Sequence, residues 1–369
     1  MSEITIKITD LSRGGAGIAR EESGRVVFVP YTAPGDEVKI KIHEEHKNYA
    51  QGQVVKIVKP SLDRVSPRCS VFGRCGGCQW QHIPYALQWK TKVCGVKHAL
   101  ERVKVEPPAD WSEYPSAHPW NYRNRVQLRG LQNEIGFFAA QSHELIPTNS
   151  CPIARTEINE SWSQTQSEGS KLPRPYKVEI EVLPSGKIQK FWNSPHGAAG
   201  FRQVNEEQNE KLRTWVSNQI TPHRELLDLF GGSGNLSAPL AEKMQLIHCV
   251  DLSTPETPLP GTPQNLFFHR ASVLSWLLKF QKSNTLKKQR SAILDPPRQG
   301  WGPQLSEMAH ALETLGVTEI ISVGCDPDHW AKDLSRLIHR GWRLEKSAVF
   351  DFFPQTPHVE AAAKLVRPL

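Results

Sequence analysis

The stretch Leu227-Asp228-Leu229-Phe230-Gly231-Gly232-Ser233-Gly234-Asn235 decides the fold of the C-terminal half of the chain. An apolar run ends here in three closely spaced glycines, which predicts a strand that closes into a tight turn and opens a helix. Because glycine has no Cβ atom, the backbone of such a turn can approach a ligand closely. On this stretch alone, a simple strand-to-helix turn stays open as the alternative.

Apolar strand candidates alternate with helical segments around this turn. The strands are residues 225–229, 246–250, 291–294 and 319–323. This alternation predicts an α/β fold with a parallel, doubly wound sheet, in which ligands bind at the carboxyl ends of the strands.

Asp251 stands at the end of the second strand, about 20 residues after the glycines, where a carboxylate can accept hydrogen bonds from a ribose. A Walker phosphate loop is disfavoured because no Gly-Lys-Ser/Thr sequence follows the glycines. A nicotinamide cofactor stays open on the glycine geometry. The pattern therefore predicts a nucleotide-like cofactor at this end of the sheet.

Charge is concentrated in one part of the chain. The 369 residues carry a net charge of +7, and residues 61–130 alone hold 11 Lys+Arg against 5 Asp+Glu. A local basic surface indicates a polyanionic partner, with a solvated charged face as the alternative. The length allows two or three domains.

The sequence contains neither a targeting pattern nor a membrane-spanning one. No apolar run approaches the roughly 18 residues of a membrane span, and the chain begins with Met1-Ser2-Glu3 rather than a basic and then apolar leader. The odd number of cysteines, seven, favours ligands or nucleophiles over a disulfide framework. We therefore expect a soluble, cytoplasmic protein with no membrane partner.

The chain divides into three predicted domains, at residues 1–58, 59–200 and 201–369. Short alternating runs broken by glycines and prolines in the first domain predict a small β-barrel of the oligonucleotide-binding kind, with a generic β-module as the alternative. The second domain begins with a cysteine cluster and continues into a helix around residues 85–103.

Further along the second domain, alternating residues predict strands at 125–129 and 177–182. Residues 105–119 and 161–175 are polar and proline-rich, so they are expected to be loops.

Reactive side chains follow the strands of the third domain. Asp295-Pro296-Pro297-Arg298 comes after the third strand, and its prolines make the loop rigid. Cys325 follows the fourth strand, above the expected cofactor site, although a lone cysteine is more often a packing residue. Glu360, on the last strand, could return to the same cleft, with an exposed strand residue as the alternative.

Together these features resemble the RNA uracil-C5-methyltransferase family, and the resemblance spans nearly the whole chain. It is closest to the iron-sulfur branch, the 23S ribosomal RNA uracil-5-methyltransferases. The features that carry it are a TRAM-like N-terminal barrel, Cys69-x5-Cys75-Gly-Gly-Cys78-Gln79-Trp80-Gln81-His82, Cys151-Pro152, Phe201-Arg202-Gln203-Val204-Asn205, the glycine loop, Asp295-Pro-Pro-Arg, Cys325 and His358-Val-Glu360.

The resemblance implies a Rossmann-like S-adenosylmethionine-dependent methyltransferase domain, an N-terminal TRAM barrel of the OB-fold kind and a central iron-sulfur α+β domain. The Cys325 thiolate would add to uracil C6, and C5 would then take the methyl group. Glu360 would remove the C5 proton, and elimination of Cys325 would release 5-methyluridine. The positions that resemble the family's S-adenosylmethionine site are Gln203, Asp228, Phe230, Gly231, Gly232, Gly234, Asp251 and Asp295.

Four cysteine thiolates can bind either a zinc ion or an iron-sulfur cluster. The resemblance selects a [4Fe-4S] cluster held by Cys69, Cys75, Cys78 and Cys151, and zinc is the alternative. Such a cluster would be structural and would shape an RNA-binding surface.

Aromatic residues can stack on unpaired bases and arginines can meet phosphates. Candidate RNA contacts of this kind are Trp80, His82, Tyr122, Arg123 and Arg125, and core packing is the alternative for the aromatic ones.

The chain departs from the family pattern at two places. Asp326 follows the nucleophilic cysteine where relatives commonly carry asparagine, and its charge is expected to oppose thiolate formation. Residues 252–263 contain four prolines where the family usually has a helix, which predicts an open wall at the adenosine end of the cofactor site.

We expect the substrate to be RNA, with 23S ribosomal RNA first, and the protein to be a monomer without an obligate protein partner. The alternatives are a tRNA uracil-C5-methyltransferase, a methyltransferase that transfers directly to another base position or to protein, and a non-catalytic RNA-binding ribosome assembly factor.

Overall fold

The structure is a computed structural model that describes residues 3–131, 133–172, 175–195, 202–256, 261–284 and 288–368. The chain divides into two compact units, each built from separate stretches. One consists of Met1–Lys92, Ala117–Ala198 and Phe353–Pro357, and the other of Val93–Ser116, Ala199–Phe352 and His358–Leu369. The boundaries of the three domains expected from the sequence stay a prediction.

The first six strands form a small sheet that curls into a barrel. They are β1 (Glu3–Lys7), β2 (Asp10–Leu11), β3 (Gly17–Arg20), β4 (Val26–Val29), β5 (Glu37–Glu45) and β6 (Tyr49–Lys59), in the order β1-β5-β6-β4-β3-β2. Because β1 and β2 follow each other directly in the chain, this segment joins the two ends of the sheet.

The barrel forms because its strands alternate apolar and polar residues. In β5, Val38, Ile40 and Ile42 are buried in the barrel core while Lys39 and Lys41 face outward. The small β-structured N-terminal domain expected from the sequence is thus observed, with a core of its own.

Helix α1 (Tyr85–Arg102) and strand β7 (Asp110–Tyr114) follow the barrel. The helix confirms the prediction for residues 85–103. The prediction of a loop at 105–119 is wrong, because β7 is the edge strand of the third sheet. Prolines are tolerated beside an edge strand, since only one side of it needs backbone hydrogen bonds.

The second sheet is antiparallel and lies in the first unit. Its strands are β8 (Arg125–Leu131), β9 (Glu134–Phe138), β10 (Leu145–Pro147), β11 (Tyr176–Val182) and β12 (Ile188–Trp192), in the order β10-β9-β8-β11-β12. Helices α2 (Thr156–Glu160) and α3 (Trp162–Gly169) contribute Ile158 and Trp162 to its core.

The two predicted strands of this region are confirmed as β8 and β11. The expected loop at 161–175 is wrong, because α3 lies within it. The helix was not predicted because its sequence is mostly polar. Only Trp162, Thr165 and Gly169 are buried in α3, and they recur at helical spacing.

The third sheet, in the second unit, carries the predicted strands of the C-terminal domain. Its elements are α4 (Glu206–Gln219), β13 (Glu225–Leu229), β14 (Leu246–Asp251), β15 (Leu266–Arg270), α5 (Val273–Ser283), β16 (Arg290–Leu294), α6 (Leu305–Thr314), β17 (Val317–Gly324), α7 (Pro327–His339), β18 (Arg343–Phe350) and β19 (Glu360–Val366). The strand order is β15-β14-β13-β16-β17-β19-β18-β7.

This sheet is mixed rather than parallel throughout. The five strands β13 to β17 are parallel, as expected, but β19 runs antiparallel between β17 and β18. The reversal has a consequence for the site, because the first residue of β19, Glu360, lies at the edge where the parallel strands end.

The prediction that a helix begins at the glycine loop is wrong. Residues 231–245, all of which the structure describes, form turns and a short 3-10 helix at Ala238–Leu240. Between β14 and β15, the described residues 252–256 and 261–265 contain no helix, as the prolines predicted, and residues 257–260 lie outside the described part.

None of the helices in the part of the chain that the structure describes is both long and apolar enough to cross a membrane.

Candidate active site

Cys325 and Glu360 come from neighbouring antiparallel strands. β17 ends at Gly324, which pairs with Ala361 of β19. Cys325 follows Gly324 directly and Glu360 precedes Ala361, and the Glu360 carboxyl group lies near enough to raise the pKa of the Cys325 thiol. The structure therefore brings the predicted nucleophile and base together.

The surroundings of Cys325 hold its thiol in the protonated form. Partial burial and the carboxyl groups of Glu360 and Asp295 together raise the pKa of Cys325 to about 12, whereas the Arg298 guanidinium opposes the rise. Arg298 is thus the cation in this group, a role that the sequence did not reveal.

Glu360 is almost completely buried. Burial raises its pKa well above the ordinary value for a carboxyl group, and the neighbouring Asp295 adds to the rise, while Arg298 lowers it. A carboxylate with a raised pKa is a stronger base, which suits a group that must remove a proton from carbon.

Asp326 does not act on Cys325 as expected. Its carboxylate caps the N-terminus of α7, accepting hydrogen bonds from the backbone N–H groups of Asp328 at 3.0 Å and His329 at 3.1 Å. The groups that raise the Cys325 pKa are Glu360 and Asp295 instead. A helix N-terminus favours a carboxylate, so Asp326 is held away in a structural role.

The glycine loop has the backbone conformation of a ligand-binding turn. Phe230, Gly232 and Gly234 have φ angles of +63°, +55° and +78°. No atom lies within 4 Å of where a Gly232 Cβ would stand, so the turn opens onto free space. At Gly231, by contrast, a Cβ would lie 2.5 Å from Asp228 Cγ and 2.7 Å from Cys249 Sγ, so only glycine fits.

Asp228 lies buried beneath this loop. One carboxyl oxygen accepts a hydrogen bond from the Ser237 hydroxyl, while its Oδ1 atom has no hydrogen-bond partner in the described part. Burial raises the pKa of Asp228 to about 6, and the Asp251 charge contributes to the rise. An unsatisfied buried carboxyl oxygen beside an open turn fits a ligand that brings a donor or a positive charge.

Asp251 and Asp295 lie at the ends of β14 and β16, on either side of the glycine loop. Asp251 Oδ1 accepts from the Ser253 backbone N–H and hydroxyl, both at 2.7 Å. Burial and the charges of Asp228 and Asp251 together raise the pKa of Asp295 to about 7. Three carboxyl groups thus repel one another here, an arrangement that a bound cation would relieve.

Two asparagines that sequence reasoning missed connect α4 to the glycine loop. The side-chain amides of Asn209 and Asn235 exchange hydrogen bonds at 3.0 and 2.9 Å, and Arg213 Nη2 donates to Asn235 Oδ1 at 2.8 Å. No local pattern signals such a pair, because the partners lie on different elements. Gln203, before α4, is buried, and Phe201 lies outside the described residues.

The four cysteines of the first unit lie within electrostatic reach of one another. Burial, together with the neighbouring Cys151, Cys75 and Cys69, raises the pKa of Cys78 to about 12. Gly77 N–H donates to Cys75 Sγ at 3.4 Å. Within the described residues, however, no group of three or more His, Cys, Asp or Glu side chains is arranged to hold a single metal ion.

Most of the candidate RNA contacts are core residues. Trp80, His82 and Tyr122 are buried, and Arg125 is buried in an ion pair with Glu181 at 3.0 Å. The core-packing alternative is therefore correct for the three aromatic residues, and the ion pair takes up the charge of Arg125. Of this group only Arg123 is partly exposed, and its Nε donates to the Arg125 carbonyl at 2.9 Å.

Comparison with known proteins places these features in one family. A TRAM-domain profile matches residues 1–55, and a profile described as tRNA (Uracil-5-)-methyltransferase matches residues 282–367. An RNA methyltransferase of Bdellovibrio bacteriovorus, otherwise uncharacterized, is 30% identical over 99% of this chain and 95% of its own length. The chain belongs to the RNA uracil-C5-methyltransferase family.

Members of this family that carry a specific name are also similar over nearly the full length. The 23S rRNA (uracil(1939)-C(5))-methyltransferase RlmD of Pseudomonas fluorescens is 26% identical, with 97% of this chain and 93% of that protein covered. The Pyrococcus abyssi tRNA (uracil-54, C5)-methyltransferase, solved with S-adenosyl-L-homocysteine, superposes with a TM-score of 0.72 at 21% identity, covering 98% and 99% of the two chains.

As a member of the family, the protein is an S-adenosylmethionine-dependent RNA uracil-5-methyltransferase with an N-terminal TRAM domain. The non-catalytic assembly factor considered from the sequence is therefore not supported. The structural likeness to the archaeal enzyme supports the Rossmann-like fold of the catalytic domain.

Proposed function

We propose that this enzyme methylates C5 of a specific uridine in 23S ribosomal RNA through a covalent adduct between Cys325 and uracil C6. The observation that carries the mechanism is the pairing of β17 with β19, which brings Cys325, directly after β17, close to Glu360, the first residue of β19. The choice of ribosomal RNA is supported by relatives of matching extent that are named 23S rRNA methyltransferases.

The chemistry needs a nucleophile because uracil C5 is unreactive by itself. The Cys325 sulfur, after losing its proton, forms a bond to C6 and makes C5 an enolate carbon. Bound S-adenosylmethionine supplies the electrophilic methyl group that C5 takes. Glu360 then accepts the C5 proton, and breakage of the carbon–sulfur bond releases 5-methyluridine and returns Cys325.

Arg298 supports both acidic groups in this scheme. Its positive charge lowers the pKa values of Cys325 and Glu360, against the effect of burial. A uracil flipped out of the RNA stack and bound next to these residues would also exclude water. Exclusion of water would strengthen the electrostatic interactions of Arg298 with Cys325 and Glu360.

We assign the cofactor site to the residues around the glycine loop. Asp251 would accept hydrogen bonds from the ribose, and the open turn would lie against the cofactor. The unsatisfied carboxyl oxygen of Asp228 and the raised pKa of Asp295 fit the positive charges of S-adenosylmethionine. The full set is Gln203, Asp228, Phe230, Gly231, Gly232, Gly234, Asp251 and Asp295.

We assign the four cysteines to a [4Fe-4S] cluster, with a zinc ion as the alternative. Tetrahedral zinc draws its thiolates to about 2.3 Å from one point. The four sulfurs influence one another's pKa values and so lie near one another, although no group of three or more ligands among the described residues is arranged to hold a metal ion. The choice of an iron-sulfur cluster rests on the family resemblance. Hydrogen bonds from backbone N–H groups to sulfur, as at Cys75, are typical of iron-sulfur proteins. Cys69, Cys75, Cys78 and Cys151 would hold it, in a structural role.

Trapping with 5-fluorouridine RNA tests the covalent mechanism, because a fluorine at C5 cannot be removed as a proton. The full-length protein with S-adenosylmethionine should form an RNA complex that survives denaturation. Cys325→Ala should form none, and Cys94→Ser, a change at an exposed cysteine of α1, should behave as wild type. Methylation of ordinary RNA without any trapped complex would overturn the adduct and favour direct transfer.

The RNA substrate is tested by mass mapping of RNA from cells that lack the protein. Loss of one 5-methyluridine from 23S rRNA, restored by the wild-type gene and not by the Cys325→Ala gene, is the expected result. Loss from tRNA alone would replace ribosomal RNA by tRNA as the substrate.

A further inference from the structure

The loop that carries Arg298 has little internal support. It leaves β16 through Asp295 and two prolines, and a tight turn returns the chain where Gly300 N–H donates to the Pro297 carbonyl at 2.8 Å. Gly300 and Gly302 have φ angles of +69° and +65°. Arg298 itself is exposed at the tip, so contacts from outside the loop must hold its position.

Asp333, from the middle of α7, provides such a contact. Its side chain is buried, and its Oδ2 atom accepts a hydrogen bond from the Trp301 backbone N–H at 2.9 Å. A Cβ atom at Gly300 would overlap Oδ2 and lie 3.1 Å from Asp333 Cγ. The carboxyl group therefore fills the space that a side chain at position 300 would take, and it pins the loop where the chain turns.

The pinned loop and the nucleophile face the same small cleft. Arg298, Cys325 and Asp333 all line it. The distance over which one guanidinium acts on a thiol is short, so a small shift of the loop would move Arg298 away from Cys325.

We propose that Asp333 is a positioning residue for methyl transfer: by binding Trp301 and packing on Gly300, it fixes the loop that holds Arg298 beside Cys325. The inference rests on the proposed role of Cys325 as nucleophile. Asp333 touches neither RNA nor cofactor in this scheme, and acts through Arg298.

Asp333 acts mainly as the acceptor of the Trp301 hydrogen bond rather than as a partner of Arg336 in an ion pair. Burial raises the pKa of Asp333 to about 6, while the Trp301 N–H, Arg336 and His329 oppose the rise. Arg336 Nη1 is 3.9 Å from Asp333 Oδ1 and is itself largely exposed, so its charge is screened by water.

The test compares six variants of the full-length protein by steady-state methylation and by alkylation of Cys325 with iodoacetamide, read by mass spectrometry without RNA. Asp333→Ala should lower kcat about tenfold or more, because small misplacements of catalytic groups have effects of this size. KM for RNA and S-adenosylmethionine should stay within about twofold, and the pH midpoint of Cys325 alkylation should rise. Asp333→Asn, whose amide oxygen still accepts from Trp301, should retain most activity.

Gly300→Ala disturbs the packing between Gly300 and Asp333 by a change in the loop instead of in α7. It should reproduce the effect of Asp333→Ala, and it provides the test if Asp333→Ala proves unstable. Lys332→Ala, an exposed neighbour on α7, is the matched control and should behave as wild type. The double variant Asp333→Ala, Arg298→Ala should be no slower than Arg298→Ala alone, because the two residues act as one unit.

Wild-type kcat and alkylation profile in folded Asp333→Ala and Gly300→Ala, or fully additive losses in the double variant, would overturn the proposal. These outcomes differ from a failure of the proposed function. If Cys325 is not the nucleophile, 5-fluorouridine RNA will not trap the wild-type protein.

Discussion

The carboxyl group of Asp295, which follows β16, raises the pKa of Glu360, a buried carboxyl group at the start of β19, two strands away in the same sheet. Two acids near one thiol would be a poor arrangement for making a thiolate. The arrangement becomes useful when positive charge is present, from Arg298 and from a bound sulfonium. In the proposed mechanism, the acidic site would favour a cationic cofactor and would keep Cys325 protonated until that cofactor binds.

Replacement of Glu360 by glutamine should stop the reaction after methyl transfer. The amide cannot take the C5 proton, so Glu360→Gln should accumulate a covalent, methylated complex with ordinary uridine RNA, and turnover should fall by roughly 10²–10⁴-fold. Denaturing gels and mass spectrometry of the complex measure this. The double variant with Cys325→Ala should show no complex, and release of 5-methyluridine by Glu360→Gln at the wild-type rate would exclude Glu360 as the base.

Activity should rise with pH across the physiological range. Cys325, with a pKa raised to about 12, and Glu360, with a raised pKa, must both be deprotonated to act. The ionised fraction of each group grows as pH increases, so kcat/KM for RNA should climb from about pH 6 to about pH 8.5. A level profile above pH 6.5 would contradict raised pKa values in the free enzyme.

Asp295→Asn should stabilise the protein more at neutral pH than in mild acid. Since the folded-state pKa of Asp295 is raised from 3.8 to about 7, its contribution to stability is full below about pH 4 and is lost as pH rises through 7. Asparagine carries no charge, so the gain in Tm over wild type should be a few degrees at pH 7.5 and smaller at pH 5.

Thermal unfolding of both proteins at the two pH values, without cofactor, provides the measurement. Comparing variant with wild type removes the opposite contributions of His82 and His269, whose pKa values are lowered to about 4. Equal shifts in Tm at both pH values would show that Asp295 does not titrate in this range.

Asp251→Ala should weaken cofactor binding without unfolding the protein. Loss of charge-assisted hydrogen bonds to the ribose corresponds to about 10–100-fold in affinity for S-adenosylhomocysteine, measured by calorimetry. Glu256→Ala is the matched control, because this acid lies in the same segment but is exposed and pairs with Arg270. Equal affinities of the two variants would remove Asp251 from the cofactor site.

Anaerobically purified protein should contain about four irons and four sulfides per chain. Cys75→Ser should lower both contents strongly and destabilise the first unit, while Cys94→Ser should leave them unchanged. Metal and sulfide analysis decides between the candidates, since one zinc ion without sulfide would establish the zinc alternative.

Local sequence patterns were sufficient for most elements of the fold. The alternation in β5 and the apolar run of β13 each predict a strand because side-chain direction has a fixed period. The short helix α3 escaped notice because its buried face consists of only three residues, two of them small. The strand β7 was missed because prolines beside an edge strand look the same as prolines in a loop.

The sequence did not show which polar and aromatic side chains are buried or which groups they contact. Trp80 and His82 look like RNA contacts in a basic segment, yet both lie in the core, where Trp80 Nε1 donates to the Gly15 carbonyl at 2.9 Å. Asp326 looks like an electrostatic obstacle beside Cys325, yet its charge is used by the N-terminus of α7.

By itself, the sequence determined the types of most elements and the glycine turn, because these depend on side-chain chemistry and on short-range periodicity. The roles of Cys325 and Glu360 were predicted from the family resemblance. Only the tertiary structure decided that β19 inserts antiparallel beside β17, which brings together two residues that are far apart in the chain. The physical reason is that strand order and direction depend on long-range hydrogen bonding and core packing, which no local stretch encodes.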